Sequence, residues 1–114
     1  MKNRLLFGFG LLYSLFGCKH QPQEMPAPTC QPVSFARDVR PIIQQNCATY
    51  GCHIAGSPDG DFNQFADLKA KVTNGSFKNS VIDWNAPRMP ETHQLPDAQL
   101  RVLQCWLNDN APEN

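Results

Sequence analysis

Two cysteines and a histidine lie close together in the middle of the chain, in the sequence Cys47-Ala-Thr-Tyr-Gly-Cys52-His53. Two thiols followed directly by an imidazole can attach a haem covalently and ligate its iron, and the usual spacing is C-x-x-C-H. Here four residues separate the cysteines. On a helix, residues three apart differ by about 60° in direction and residues five apart by about 140°, so a regular helix would direct one sulfur away. Because Gly51 tolerates unusual backbone conformations, the spacing predicts a looped-out attachment segment.

Two other interpretations of these residues stay open. Cys47 and Cys52 could form a small disulfide loop, with His53 at the surface. The three side chains could also belong to a zinc site, although the sequence lacks the second pair of ligands that structural zinc sites usually have.

A methionine further along the chain is a candidate second axial ligand. Met89 lies between two prolines, in Ala86-Pro87-Arg88-Met89-Pro90, a segment that is rigid and irregular. Bound to a haem iron, its thioether would complete His/Met ligation, which raises the reduction potential. An isolated methionine more often fills a gap in a core. His93 is the alternative ligand, and bis-histidine ligation would lower the potential.

The N-terminus has the composition of an export signal. Lys2 and Arg4 precede an uncharged run over residues 5–16, which is too short to span a membrane. Leu15-Phe16-Gly17-Cys18 resembles the lipobox of bacterial lipoproteins, which implies cleavage before Cys18 and acylation of its thiol; an ordinary secretory signal is the alternative. The expected organisation is a signal peptide over 1–17, a lipidated cysteine and flexible tether over 18–32, and a folded domain over 33–114.

The chain contains five cysteines, an odd number. If Cys18 carries lipid and Cys47 and Cys52 carry haem, then Cys30 and Cys105 remain. Two remaining thiols in an oxidising compartment usually pair, so we expect a disulfide between them, although the count alone leaves the connectivity open.

The pattern of apolar residues in the folded part predicts helices and no strands. Ser34 is a candidate N-cap for a first helix, which Pro41 should kink or restart. The last helix should begin at Pro96 or Asp97 and run to about Asn108. Between them the sequence predicts a loop over 46–60, a helix with apolar residues at Phe62, Phe65, Leu68 and Val72, a helical turn over 77–82 and irregular chain over 85–96.

Four segments occur in an order that is familiar from one family. They are Ser34-Phe35-Ala36-Arg37-Asp38-Val39-Arg40-Pro41-Ile42-Ile43, the Cys47 to His53 segment, Met89-Pro90 and Leu103-Gln104-Cys105-Trp106-Leu107. Together they resemble the small monohaem c-type cytochrome domains of exported bacterial proteins, including a lipoprotein subgroup with C-x4-C-H. The resemblance covers about residues 33–112.

This resemblance implies an all-α, class I cytochrome c-like fold, with N- and C-terminal helices crossing beside a covalently attached haem. By position, Cys47 and Cys52 would form the thioethers, His53 would be the proximal ligand and Met89 the distal one. Phe35 and Trp106 would pack at the helix crossing.

The expected function is that of a membrane-anchored cytochrome with one covalent haem c, which carries single electrons between redox proteins in the cell envelope. Lipid on Cys18 would hold it to a bacterial membrane, facing the periplasm. An iron with both axial positions filled has no open site, so no enzymatic activity is expected unless Met89 does not ligate. A formal net charge of zero without a basic patch argues against nucleic acid as a partner. The alternative is a disulfide-stapled, non-catalytic envelope lipoprotein module without haem.

Overall fold

The computed structural model describes residues 29–114. The predicted signal peptide, the predicted lipidation site at Cys18 and most of the predicted tether lie outside the described residues. The helical elements are, in order, a π-helical turn at Phe35–Val39, helix α1 at Arg40–Asn46, helix α2 at Phe65–Thr73, a second π-helical turn at Lys78–Ile82 and helix α3 at Asp97–Asn108. Helices make up 47% of the described chain and no strand forms in it, which confirms the all-α prediction. No helix in residues 29–114 is both long and apolar enough to cross a membrane.

The first helical segment begins at Ser34 and changes its winding before Pro41. The side-chain Oγ of Ser34 accepts a hydrogen bond from the backbone N–H of Arg37 at 3.3 Å, as an N-cap does. Proline has no N–H to donate, and the turn before it is wide, with the N–H of Val39 bonded to the carbonyl oxygen of Ser34 at 3.3 Å. Helix α1 then begins at Arg40 with Pro41 in its first turn, so the predicted restart is confirmed.

The middle of the chain follows the predicted order of elements with one difference. Helix α2 begins at Phe65, so Phe62 lies in the preceding loop although its spacing predicted a helical position. The helix ends at Asn74, whose N–H donates to the carbonyl of Ala70 at 3.1 Å. Gly75 follows with φ of +82°, the left-handed conformation that favours glycine after a helix.

Helix α3 packs against the N-terminal helical segment through aromatic rings. Trp106 is fully buried, and its ring stacks on that of Phe35 with centroids 5.7 Å apart. The ring of Phe77 meets the indole edge-on at 6.4 Å. The indole N–H donates to the carbonyl of Pro112 at 2.9 Å. One buried tryptophan therefore joins the first helical segment, the second π-helical turn and the C-terminal residues.

The two ends of the domain are also joined directly. Cys30 and Cys105 form a disulfide with Cα atoms 5.4 Å apart, which is the pairing expected for the two remaining cysteines. The side-chain Oδ1 of Asn114 accepts from the N–H of Phe35 at 2.7 Å, and its backbone oxygen accepts from the N–H of Ala36 at 2.9 Å. These contacts fix the start of the first helical segment against the end of the chain.

Candidate haem-attachment site

The residues between Cys47 and His53 loop out from the end of helix α1. The N–H of Cys47 donates to the carbonyl of Ile43 at 2.8 Å, which continues the helical bonding of α1. The N–H of His53 then donates to the carbonyl of Cys47 at 3.0 Å, across a turn that the N–H of Cys52 closes on the carbonyl of Thr49, also at 3.0 Å.

This backbone bond compensates for the long spacing of the cysteines. In an α-helix each carbonyl accepts from the N–H four residues later, and in C-x-x-C-H the histidine stands four residues after the first cysteine. In this chain His53 is six residues after Cys47, yet the same pair of backbone groups is bonded. The loop accommodates the two extra residues, as the spacing predicted.

Gly51 and Tyr50 form the outer part of this loop. Gly51 has φ of +80°, and no atom lies within 4 Å of the position that a Cβ would occupy. The backbone conformation, and not the lack of space, therefore favours glycine there. Tyr50 is 97% exposed, so its side chain is directed into solvent.

The imidazole of His53 is held by Phe62. The two rings are parallel, with centroids 3.9 Å apart and planes 2° apart, and the N–H of Phe62 donates to the carbonyl of His53 at 3.0 Å. The Nδ1 atom of His53 is buried and has no hydrogen-bond partner, an arrangement that costs free energy. Because Nδ1 is enclosed, Nε2 is the nitrogen left to bind a ligand.

The two thiols of the site have different surroundings. Cys47 is buried and Cys52 is exposed, and both are free. Burial, and to a smaller extent the neighbouring Cys52, raises the pKa of the Cys47 thiol to about 12. Cys47 is therefore a neutral thiol at the margin of the core at ordinary pH.

Met89 and His93 occupy contrasting positions. Met89 is partly buried against the hydrophobic core, and its N–H donates to the carbonyl of the buried Ser80 at 3.1 Å. His93 is exposed, and its Nδ1 lies 3.0 Å from the hydroxyl oxygen of Thr92. Of the predicted ligands, the structure joins His53 to Cys47 by a hydrogen bond, whereas Met89 is joined to the second π-helical turn.

The residues fit a haem better than a bare metal ion. Within residues 29–114, no three side chains of His, Cys, Asp or Glu are close enough together to hold a metal ion, which is the kind of set that a zinc site uses. A haem iron instead needs one or two axial side chains. His53, with a ring held by Phe62, could be such a ligand through Nε2, and two free thiols lie beside it in the sequence.

Sequence reasoning did not identify the relation of Phe62 to His53. The sequence placed Phe62 among the apolar residues of a helix, whereas it lies before helix α2 and is buried with its ring against the imidazole. No protein-family model, curated protein or solved structure matches this chain. The function must therefore be argued from the residues of the site.

Proposed function

We propose that this chain is a membrane-anchored monohaem cytochrome c that carries single electrons between redox proteins of the cell envelope. The observation that carries the proposal is the 3.0 Å hydrogen bond from the N–H of His53 to the carbonyl of Cys47. In C-x-x-C-H on a helix, the N–H of the histidine is bonded to the carbonyl of the first cysteine, and the C-x4-C-H segment has the same bond here. One haem c would be held by thioethers from Cys47 and Cys52 and by His53.

When bound, the haem supplies one-electron exchange between ferric and ferrous iron. The chain supplies the position of the ligand. The ring of Phe62 covers one face of the imidazole of His53, and helix α1 holds Cys47 at the edge of the core. Orientation of a ligand by its neighbours is a main way in which a protein tunes a metal site.

The packing of the domain also supports a bound macrocycle. Within residues 29–114, nine hydrophobic side chains lie against the core but remain partly exposed: Val33, Ala48, Phe65, Val72, Ile82, Met89, Leu100, Val102 and Leu107. A folded domain of this size has few apolar contacts to spare, and a haem is an apolar group large enough to cover several of them. The contact between Phe35 and Trp106 supports the crossing of terminal helices that a cytochrome c-like fold requires.

Met89, and not His93, would be the second side chain to hold the iron. Met89 is partly buried and its backbone is bonded to Ser80, whereas His93 is exposed. With protein ligands at both axial positions, no substrate could reach the iron, so the proposed role is electron transfer and not enzymatic catalysis. Replacing Met89 with alanine should alter the ferric spectrum and lower the reduction potential, while His93→Ala should leave both unchanged.

Export to the periplasm and the lipid anchor on Cys18 are parts of the same proposal. The disulfide between Cys30 and Cys105 supports an oxidising compartment, because disulfides persist there and are rare in the reducing cytosol. A cytochrome held to a membrane by lipid would meet other redox proteins at that membrane.

The proposal is tested by expressing the chain together with c-type cytochrome maturation enzymes. The reduced, alkaline haem spectrum should show one haem for each chain, and mass spectrometry should show the mass of polypeptide plus haem. The double variant Cys47→Ala/Cys52→Ala, expressed in the same way, is the matched control and should lose the covalent haem. A colourless product with a Cys47–Cys52 disulfide in non-reducing peptide maps would contradict the proposal and support the haem-free lipoprotein module.

A further inference from the structure

The proposed attachment loop lies in a stretch of chain that has no charged residue. Residues 41–58 contain no Asp, Glu, Lys or Arg, although 18% of the whole chain is charged. The stretch begins after Arg40 and ends before Asp59. Its exposed positions after helix α1 form what we call the uncharged loop surface: Tyr50, Gly51, Cys52, Ala55, Gly56 and Pro58.

Tyr50 is the dominant side chain of this surface. It is 97% exposed, and it is the exposed large hydrophobic residue of the described chain. No atom lies within 4 Å of the Cβ positions built on Gly51 and Gly56, so the backbone on both sides of Cys52 is open to an approaching molecule. One exposed aromatic ring would be ordinary by itself, but this ring stands in the longest part of the described chain without charge.

We propose that the uncharged loop surface is the site at which a redox protein docks, and that the docking face of this partner is uncharged as well. The proposal rests on the proposed function, because Cys52 and His53 bring the surface next to the haem. The centres of protein interfaces are depleted of charged residues and enriched in tyrosine, and tyrosine is over-represented among residues that dominate binding. Electron-transfer encounters use small contact areas, so one aromatic side chain can account for much of the affinity.

A lipid surface is the less favoured occupant of this site. Tyrosine also partitions to membrane interfaces, but peripheral binding to bacterial membranes usually involves Lys or Arg near anionic headgroups. The stretch over 41–58 has neither residue. An uncharged protein face matches it more closely.

Docking between uncharged faces has a measurable consequence. The encounter rate should depend only weakly on ionic strength, because no charged side chain belongs to the uncharged loop surface itself and salt then acts only on the charges around it. A second copy of this chain has the required kind of surface. Electron self-exchange between ferric and ferrous molecules, measured by NMR exchange broadening, therefore tests the docking site without an identified partner.

Between about 0.01 M and about 1 M salt the Debye length falls from about 30 Å to about 3 Å. Over this range the self-exchange rate of the haem-loaded chain should rise by much less than that of Tyr50→Asp. Tyr50→Asp should slow exchange roughly thirtyfold at low salt, a factor that corresponds to the loss of one binding hot spot. Added salt should then restore part of the rate. Tyr50→Phe should retain the rate of the unmodified chain. In the unmodified chain, amide signals of residues 48–57 should also shift as protein concentration rises.

Two further variants separate docking from haem attachment. Gln104→Asp adds the same charge at an exposed position of helix α3, beside Cys105, and should exchange at nearly the unmodified rate. Deletion of Thr49 and Tyr50 leaves Cys47-Ala48-Gly51-Cys52-His53, which has C-x-x-C-H spacing. This deletion should keep the covalent haem and its spectrum but exchange as slowly as Tyr50→Asp.

Each outcome points to one conclusion. If Tyr50→Asp carries haem normally and slows no more than Gln104→Asp, the docking site is overturned while the proposed function stands. If the unmodified chain carries no haem, the proposed function fails. The third outcome concerns the unlipidated chain with Cys18→Ser and vesicles of zwitterionic and anionic phospholipid. If this chain sediments with the vesicles, and Tyr50→Asp abolishes that binding but leaves electron exchange unaffected, then the surface is a membrane contact and the docking proposal is wrong.

Discussion

Removing the disulfide between Cys30 and Cys105 should cost the domain a large part of its stability. The bond joins residues 75 apart in sequence, so in the unfolded state it closes a loop that includes nearly the whole domain. For a loop of this length, the chain-entropy model gives a contribution to the free energy of unfolding of about 4.5 kcal/mol at 25 °C. Single domains have total unfolding free energies of about 5–15 kcal/mol. The double variant Cys30→Ala/Cys105→Ala should therefore unfold at a much lower urea concentration.

Urea unfolding followed by tryptophan fluorescence measures this effect, because Trp106 is fully buried in the folded domain. A thiol reductant should lower the unfolding midpoint of the unmodified chain and leave that of the double variant unchanged. Thioethers to haem resist such reductants, but a ferric iron does not. Both chains are therefore compared with the iron already held ferrous by ascorbate, so that the thiol acts on the disulfide alone. A loss of less than about 1 kcal/mol in the double variant would refute the argument from loop closure, because the model assigns several times that value to this loop.

Three further predictions concern the core and the thiols. Trp106→Ala should lower the free energy of unfolding by about 3–5 kcal/mol, because it removes a fully buried ring and its hydrogen bond to Pro112. Thermal unfolding monitored by circular dichroism measures this loss, and a much smaller value would contradict the prediction. Lys69→Met should lower the free energy of unfolding by about 1 kcal/mol, since the ammonium group donates to two backbone carbonyls that follow helix α3. Equal urea midpoints for the variant and the unmodified chain would contradict this. In the haem-free chain at pH 8, iodoacetamide should modify Cys52 quickly and Cys47 only on unfolding. The reason is that burial raises the pKa of Cys47 to about 12, and the reactive thiolate forms only as the pH approaches that value. Equal labelling rates of the two cysteines, measured by mass spectrometry, would show that Cys47 is accessible.

The helix boundaries were largely predictable from the sequence because local signals define them. Ser34 caps the first segment through its own hydroxyl, and the region of Pro96 and Asp97 marks the start of helix α3 where proline and an acidic residue are both favoured. Asn74 and Gly75 end helix α2 by a backbone conformation that glycine adopts readily. Each of these signals operates within one turn of the chain, so no knowledge of the tertiary structure is needed to interpret it.

The contacts that define the site were not predictable in the same way, because they depend on residues far apart in sequence. Phe62 has helical spacing with the apolar residues of α2, yet it lies before that helix and packs on His53. Spacing cannot distinguish these two positions, since a buried aromatic residue satisfies the pattern in either one. The contacts of Asn114 with Phe35 likewise join opposite ends of the domain, and nothing in the sequence near either residue indicates them.

The placement of His53 explains why the cysteine spacing can depart from C-x-x-C-H. The N–H of His53 is bonded to the carbonyl of Cys47, and its own carbonyl accepts from the N–H of Phe62, both at 3.0 Å. Both partners lie outside the loop over residues 48–52, and the ring of Phe62 orients the imidazole as well. The backbone of the histidine is therefore held by the end of helix α1 and by Phe62, and the residues of the loop make neither of these two bonds. The loop can then direct a side chain outward without breaking either bond, and here the exposed one is Tyr50.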